Sequence, residues 1–81
     1  ISVCNVQRYA TPAVVQHVFT LLLSLTTRIE QYQADVYNGN WTNSEFFCLL
    51  DYPIRELDGL TLGIVGYGEL GQAVANVAKT F

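Results

Sequence analysis

The dominant feature of the 81-residue sequence is one long helical repeat of apolar side chains. From Pro12 to Tyr37, apolar residues recur every three or four positions, which places them on one face of a helix. The Thr11-Pro12 pair predicts the start of this helix, with the Thr11 hydroxyl as its cap, and Asn38-Gly39 predicts its end. Such a helix would be about 39 Å long. Because a chain of this size buries only about 60–65% of its extended surface, the helix needs cover from further sequence or from a second copy of the chain.

The residues of the repeat are Val14, Val18, Leu21, Leu22, Leu25, Ile29, Tyr32 and Val36. The first half of the helix is apolar on its other sides too, whereas charged and amide side chains make the second half amphipathic. The most apolar stretch, 13–25, contains Gln16 and His17 and is shorter than the roughly 20 residues that a bilayer crossing needs. We therefore predict a buried helix and neither a membrane span nor a secretory signal. His17 is expected to be a packing or hydrogen-bonded helix residue without a catalytic role.

Composition limits the partners and the kinds of site. Four Lys or Arg against seven Asp or Glu give a net charge of −3, and the cations are scattered singly, which argues against a nucleic-acid binder. Cys4 and Cys48 are expected to be buried, reduced thiols of a cytoplasmic protein, with one disulfide as the alternative. A single histidine and no Cys-x-x-Cys pair leave no plausible metal-ligand set. Because there is no methionine and residues 77–81 look like the middle of a helix, we expect the chain to be a piece of a longer protein.

The remaining segments combine strand and helix character, which predicts an α/β fold. Residues 1–6 are rich in β-branched side chains and 60–65 form an apolar stretch, so each is predicted to be a strand. Residues 40–58 show no sustained period and end in an Asp-Gly turn signal. A second helix is predicted from about Glu69 onward. Four aromatic side chains are expected to hold the loop of residues 40–58 against the rest of the chain: Trp41, Phe46, Phe47 and Tyr52.

A glycine-rich turn lies between the second predicted strand and its helix. Gly66, Gly68 and Gly71 form the pattern G-x-G-x-x-G. In a strand-turn-helix unit, the first glycine makes the tight turn, the second lets the backbone approach a pyrophosphate, and the third lets helix and strand pack closely. The helix N-terminus adds free N–H groups and the positive end of its dipole. The unit predicts dinucleotide binding, and a glycine turn that binds nothing is the alternative.

The order of these motifs resembles the D-isomer-specific 2-hydroxyacid dehydrogenases, and within them the glycerate (hydroxypyruvate) reductase branch. The residues that carry the resemblance are Asn5-Val6, Tyr9-Ala10-Thr11, the VVQH run 14–17, Gly39-Asn40-Trp41 and the run 57–71. The resemblance implies an internal fragment of a two-domain enzyme with a Rossmann-type dinucleotide-binding domain. Residues 1–11 would end the substrate-binding domain, 12–37 would be a long interdomain helix, 38–59 a connecting loop, and 60–81 the first strand, turn and helix of the incomplete Rossmann domain.

The resemblance also implies an oxidoreductase that uses NAD or NADP on a D-2-hydroxy or 2-keto acid of the hydroxypyruvate or glyoxylate type. The cofactor-binding residues that it implies are Gly66, Gly68, Glu69, Leu70, Gly71 and Val14. The family's catalytic Arg, Glu and His follow the glycine turn, so no catalytic residue is expected in the 81 residues, which alone should be inactive. Many members carry a basic residue where this chain has Glu69, and a carboxylate cannot pair with a phosphate.

Two other interpretations remain open from the sequence. In one, the chain is a non-catalytic, self-associating helical module, most simply a homodimer, or a truncated product with at most residual nucleotide binding. In the other, it belongs to an unrelated Rossmann protein such as a short-chain reductase or a methyltransferase. The second fits less well, because about 60 residues precede the glycine turn here, whereas those folds usually place the turn near the chain start.

Overall fold

A computed structural model describes residues 1–81 and contains three helices. Helix α1 covers Thr11–Thr27, α2 covers Ile29–Tyr37 and α3 covers Glu69–Ala78. Helix α3 packs against α1, and α2 follows α1 after a single residue. The whole chain measures 65 × 32 × 16 Å along its principal axes, so it is elongated for its length.

Helix α1 starts one residue earlier than the sequence predicts. Ala10 is the N-cap, and no side chain caps the helix. The prediction of Thr11 as the cap is therefore wrong, because Thr11 already lies in the first turn, and Pro12 follows it where no N–H donor is needed. The first turn is closed by Val14, whose N–H donates to the Ala10 carbonyl oxygen at 2.9 Å.

The predicted continuous helix is broken at Arg28, so that prediction is wrong. Arg28 adopts left-handed backbone angles, φ 56° and ψ 36°, and is both the C-cap of α1 and the N-cap of α2. The carbonyl oxygen of Thr26, which a continuous helix would use internally, instead accepts the Arg55 N–H at 3.0 Å. The Thr27 hydroxyl also donates to the Leu23 carbonyl oxygen at 2.6 Å, a type of bond that bends helices. The predicted stop at Asn38-Gly39 is confirmed, with Gly39 at φ +82°.

The interior of the chain is small. Phe19 of α1 and Asp35 of α2 are its only buried residues, and the Phe19 ring stacks on Phe81 with 5.7 Å between ring centroids. The prediction of a buried helix therefore holds on one side only, because α3 and residues 55–62 cover that side of α1. Along the predicted apolar face, Val14, Val18, Leu22 and Tyr32 are half-buried, whereas Leu21, Leu25, Ile29 and Val36 are exposed.

Neither predicted strand forms. Residues 1–6 are exposed throughout, and in 60–65 only Ile64 is half-buried. A strand is held by hydrogen bonds to a neighbouring strand, and no backbone hydrogen bond joins these two segments to each other or to another extended segment. The structure contains helices alone, so it does not confirm the α/β class predicted from the sequence.

Residues 38–68 contain no helix and no strand, and Tyr32 of α2 anchors their central part. Its hydroxyl donates to the Tyr52 carbonyl oxygen at 2.8 Å and accepts the Tyr52 N–H at 3.1 Å. The two rings also meet edge to face, with centroids 5.1 Å apart. Tyr52 therefore packs as predicted. Trp41, Phe46 and Phe47 do not, since each is more than half exposed.

The phenol of Tyr52 provides a pH-dependent test of how this side chain is packed. Desolvation and the neighbouring Asp35 carboxylate raise the pKa of Tyr52 above its ordinary value of 10.0. Because the folded chain favours the neutral phenol, its stabilising contribution is present below pH 10 and is lost as the pH rises through the raised pKa. Ultraviolet titration should show one of the five tyrosines ionising later than the rest.

Two substitutions assign that late titration. Tyr52→Phe should remove it, and Asp35→Asn should move it back toward 10.0 by removing the nearby negative charge. Tyr37→Phe is the matched control, because Tyr37 is 84% exposed and should leave the late phenol unchanged. Persistence of the late titration in Tyr52→Phe would contradict the assignment.

Candidate functional site

The glycine-rich turn leads directly into α3. Gly66 has φ +93°, which lies in the left-handed region that favours glycine. A Cβ atom at Gly71 would collide with the Gly66 carbonyl oxygen and lie 3.2 Å from the carbonyl carbon and 3.4 Å from Cγ2 of Ile64. The first turn of α3 therefore sits directly against the glycine turn and the segment before it, with room for hydrogen alone at Gly71.

The N-terminus of α3 leaves backbone donors free. Gly68 is the N-cap, and its carbonyl oxygen accepts the Gln72 N–H at 3.0 Å, the first hydrogen bond of the helix. The N–H groups of Glu69, Leu70 and Gly71 therefore have no acceptor within the chain. No side chain caps them, and the space next to Gly68 is open. Together with the helix dipole, these donors can bind an anionic group such as a pyrophosphate.

Gln72 braces the turn from the helix side. Its side-chain amide Nε2 donates to the Tyr67 carbonyl oxygen at 3.1 Å. This bond links the middle of the glycine turn to the first turn of α3. Sequence reasoning did not identify Gln72, and its position one residue after Gly71 is the only local signal that could have found it.

A cleft of about 390 Å³ lies beside this helix N-terminus. It is bounded by residues 5–11, by the first turn of α1 and by the first turn of α3. Of the six residues predicted to bind cofactor, Val14, Glu69 and Leu70 line the cleft together, although α1 and α3 are far apart in the sequence. The other three, Gly66, Gly68 and Gly71, lie in the adjoining turn and do not line it.

Arg8 is the residue at this cleft that sequence reasoning missed. Its Nε lies 3.8 Å from Oε2 of Glu69, and the two side chains are 80% and 46% exposed. Arg8 also has a positive φ of 58°, an uncommon conformation for a residue with a Cβ atom. The sequence shows Arg8 only as one of four isolated cations, with no local pattern that links it to Glu69.

Other candidate residues lie away from the cleft or do not form a site. Cys4 is exposed and Cys48 half-buried, and both are unpaired thiols. The predicted burial of Cys4 is wrong, because the segment that carries it has no strand to pair with. His17 lies on the exposed side of α1, so its predicted packing role is wrong as well.

No three His, Cys, Asp or Glu side chains meet as metal ligands would. None of the helices combines the length and the apolarity that crossing a membrane requires.

Comparison with known proteins identifies the class of domain. Residues 19–81 match the family described as D-isomer specific 2-hydroxyacid dehydrogenase, NAD binding domain. The chain is 43% identical over 79 residues to glycerate dehydrogenase of Methylorubrum extorquens, a match that covers 98% of this chain and 25% of that protein. It is 38% identical over 79 residues to hydroxypyruvate reductase of Blautia hydrogenotrophica, with 98% and 24% covered. It is 40% identical over 85 aligned residues to glyoxylate reductase of Thermococcus litoralis, with 100% and 25% covered.

The matched residues include the glycine turn and α3. This part of the chain therefore belongs to an NAD-binding domain. The chain belongs to the D-isomer specific 2-hydroxyacid dehydrogenase family. This confirms the resemblance found in the sequence, and the cofactor of the family's domain is NAD(H). The domain implies a Rossmann-type fold, of which the structure contains the helical part. The chain spans about a quarter of the length of these relatives.

Proposed function

We propose that the chain is the part of an NAD(H)-dependent oxidoreductase that holds the cofactor's pyrophosphate, in a protein that interconverts D-2-hydroxy acids and 2-keto acids. The observation that carries this proposal is the glycine turn with its free N–H groups at the start of α3. The substrate class is proposed from the relatives, which are named glycerate dehydrogenase, hydroxypyruvate reductase and glyoxylate reductase. A hydroxypyruvate or glyoxylate type of substrate follows from these names.

Each proposed cofactor residue has a distinct task. The N–H groups of Glu69, Leu70 and Gly71 would donate to the pyrophosphate oxygens, since they have no acceptor in the chain. Gly68 would let the pyrophosphate approach the backbone, because nothing fills the space next to it. Val14, which lines the same cleft, would contact the nicotinamide end. When bound, the cofactor supplies or accepts the hydride, and the protein supplies its position.

The domain layout follows from the same proposal. Residues 1–11 would end a substrate-binding domain and 12–37 would pass from it to the NAD-binding domain as the two helices α1 and α2. Residues 38–59 would connect to the glycine-turn unit over 60–81. We also propose a cytoplasmic location, which the unpaired thiols support because an exposed thiol such as Cys4 persists in a reducing compartment.

The proposal is tested by NADH titration and by NADH oxidation in the protein that carries these residues. We expect NADH to bind, and hydroxypyruvate or glyoxylate to be reduced with one NADH consumed per keto acid. Acetate is the control, since it has the carboxylate without the keto group. We expect the isolated 81 residues to be inactive, because the family's catalytic Arg, Glu and His follow the glycine turn. NADH binding without oxidation by any 2-keto acid would contradict the proposed reaction, and no NADH binding would contradict the cofactor site.

A second proposal concerns self-association, and the exposed apolar side of α1 and α2 favours it. Leu21, Leu25 and Ile29 are 53%, 74% and 52% exposed. Leu21 and Leu25 lie four residues apart on one side of α1 and form an exposed apolar stripe, and Ile29 starts α2 directly after the break. We propose that a second copy of the protein covers this stripe in a homodimer, which is the simplest closed assembly.

Light scattering at micromolar concentration tests the homodimer. We expect a dimer for the unaltered protein and a shift toward monomer for Leu25→Glu, which places a charge in the apolar contact. Gln33→Glu on the exposed surface of α2 changes the net charge equally and should leave the dimer intact. A monomeric unaltered protein would contradict the proposal and would favour cover by other residues of the same protein.

A further inference from the structure

The first turn of α3 has an electrostatic conflict with its proposed ligand. The free N–H groups at this turn favour an anion, but the Glu69 carboxylate in the same turn carries a negative charge. A dinucleotide brings two negative phosphates to this place, and like charges at close range repel. A positive charge near Glu69 would offset this repulsion and favour binding of the pyrophosphate.

The tertiary structure provides one positive charge there. Arg8, from the loop before α1, reaches the first turn of α3 and lies 3.8 Å from the Glu69 carboxylate. Arg8, Glu69 and Leu70 line the same cleft. At 3.8 Å the contact is an ion pair longer than a hydrogen bond, and Arg8 makes no hydrogen bond within the chain. A guanidinium has five N–H donors in a planar fork, so its donors remain available to phosphate oxygens.

We propose that Arg8 is a cofactor-binding residue, which neutralises Glu69 and donates hydrogen bonds to the pyrophosphate of NAD(H) beside the N-terminus of α3. The inference rests on the proposed function and adds to it a residue that comes from outside the glycine-turn unit. It places the positive charge in the loop before α1, opposite the helix that carries Glu69. Dinucleotide affinity then depends on the contact between this loop and α3.

Calorimetric titration of the protein with NADH and with adenosine tests the role of Arg8. Arg8→Gln should weaken NADH binding about fivefold, the effect of one charge-assisted contact at an exposed site, and should leave adenosine binding unchanged because adenosine has no phosphate. Arg8→Lys should retain part of the NADH affinity, since it keeps the charge and loses the fork. Lys79→Gln removes the same charge near the far end of α3 and should have no effect on either ligand.

Two further variants test whether Arg8 affects NADH affinity through its charge or through its backbone conformation or packing. Arg8→Gly suits the positive φ of this position, so a purely conformational role predicts unchanged or tighter NADH binding, whereas the proposal predicts the same loss as Arg8→Gln. Glu69→Gln should restore much of the affinity in the Arg8→Gln background, because it removes the carboxylate charge that Arg8 offsets.

The outcomes distinguish the proposal from the function on which it rests. Unchanged NADH affinity in Arg8→Gln, or an equal loss for adenosine and NADH, would overturn the role of Arg8 and leave the cofactor site standing. Absence of NADH binding in the unaltered protein would overturn both the proposed function and this inference.

Discussion

Alanine in place of Gly71 should reduce NADH affinity by about 100-fold, which corresponds to roughly 2.7 kcal/mol and lies within the range for overpacking a close contact. The new Cβ atom would collide with the Gly66 carbonyl oxygen, so either the glycine turn or the start of α3 must move. Either movement displaces the N–H groups of Glu69 and Leu70 from the pyrophosphate. NADH titration of the altered protein measures the loss.

Two other glycines provide controls for this prediction. Gly63→Ala should change affinity less than about twofold, because no atom lies within 4 Å of the added Cβ and Gly63 does not have a positive φ. Gly68→Ala meets no atom of the free chain either, so we expect it to weaken NADH binding by filling the space through which the pyrophosphate approaches the backbone. Equal affinities for Gly71→Ala and Gly63→Ala would contradict the close-contact role of Gly71.

Phe19→Ala should lower the free energy of unfolding by about 3 kcal/mol, at the lower end of the range for a buried aromatic side chain. Phe19 is 7% exposed, stacks on Phe81 and is the one buried apolar side chain between α1 and α3. Its removal leaves a void beside the existing groove of about 200 Å³ formed with residues 55–62 and α3. We expect NADH affinity to fall as well, since residues of both α1 and α3 line the cleft.

Denaturant unfolding of the protein followed by circular dichroism measures this effect. Phe47→Ala is the matched control, because Phe47 is 94% exposed and its truncation should cost less than about 0.5 kcal/mol. Similar losses for the two variants would show that the Phe19–Phe81 contact does not hold α1 against α3.

Much of the site follows from local sequence. The G-x-G-x-x-G spacing predicts the turn at Gly66 and the start of a helix at about Glu69, and the structure has α3 beginning at Glu69. Gly66 has a positive φ, as the tight turn requires, and Gly71 has no room for a Cβ atom, as the close packing of helix and turn requires. These features are predictable because neighbouring residues in the chain determine them.

Features that need a distant partner were predicted less well. The 12–37 helix is broken at Arg28, where the Arg55 N–H donates to the Thr26 carbonyl oxygen, and no periodicity in 12–37 indicates that bond. The strands over 1–6 and 60–65 are absent because each lacks a neighbouring strand. Strand character in a sequence describes a segment that can join a sheet, and a sheet forms only when other segments supply the hydrogen bonds.

The family membership, the glycine turn and the helix N-terminus with its free donors were accessible from the order of residues alone, since each depends on motifs within a few positions of one another. The arrangement of Arg8 beside Glu69, and of Val14 on the same cleft, became visible only in three dimensions. The physical reason is that charge and contact act through space. A cation that is distant in the sequence can lie 3.8 Å from a carboxylate and offset its charge, and no local sequence pattern indicates that the two are close.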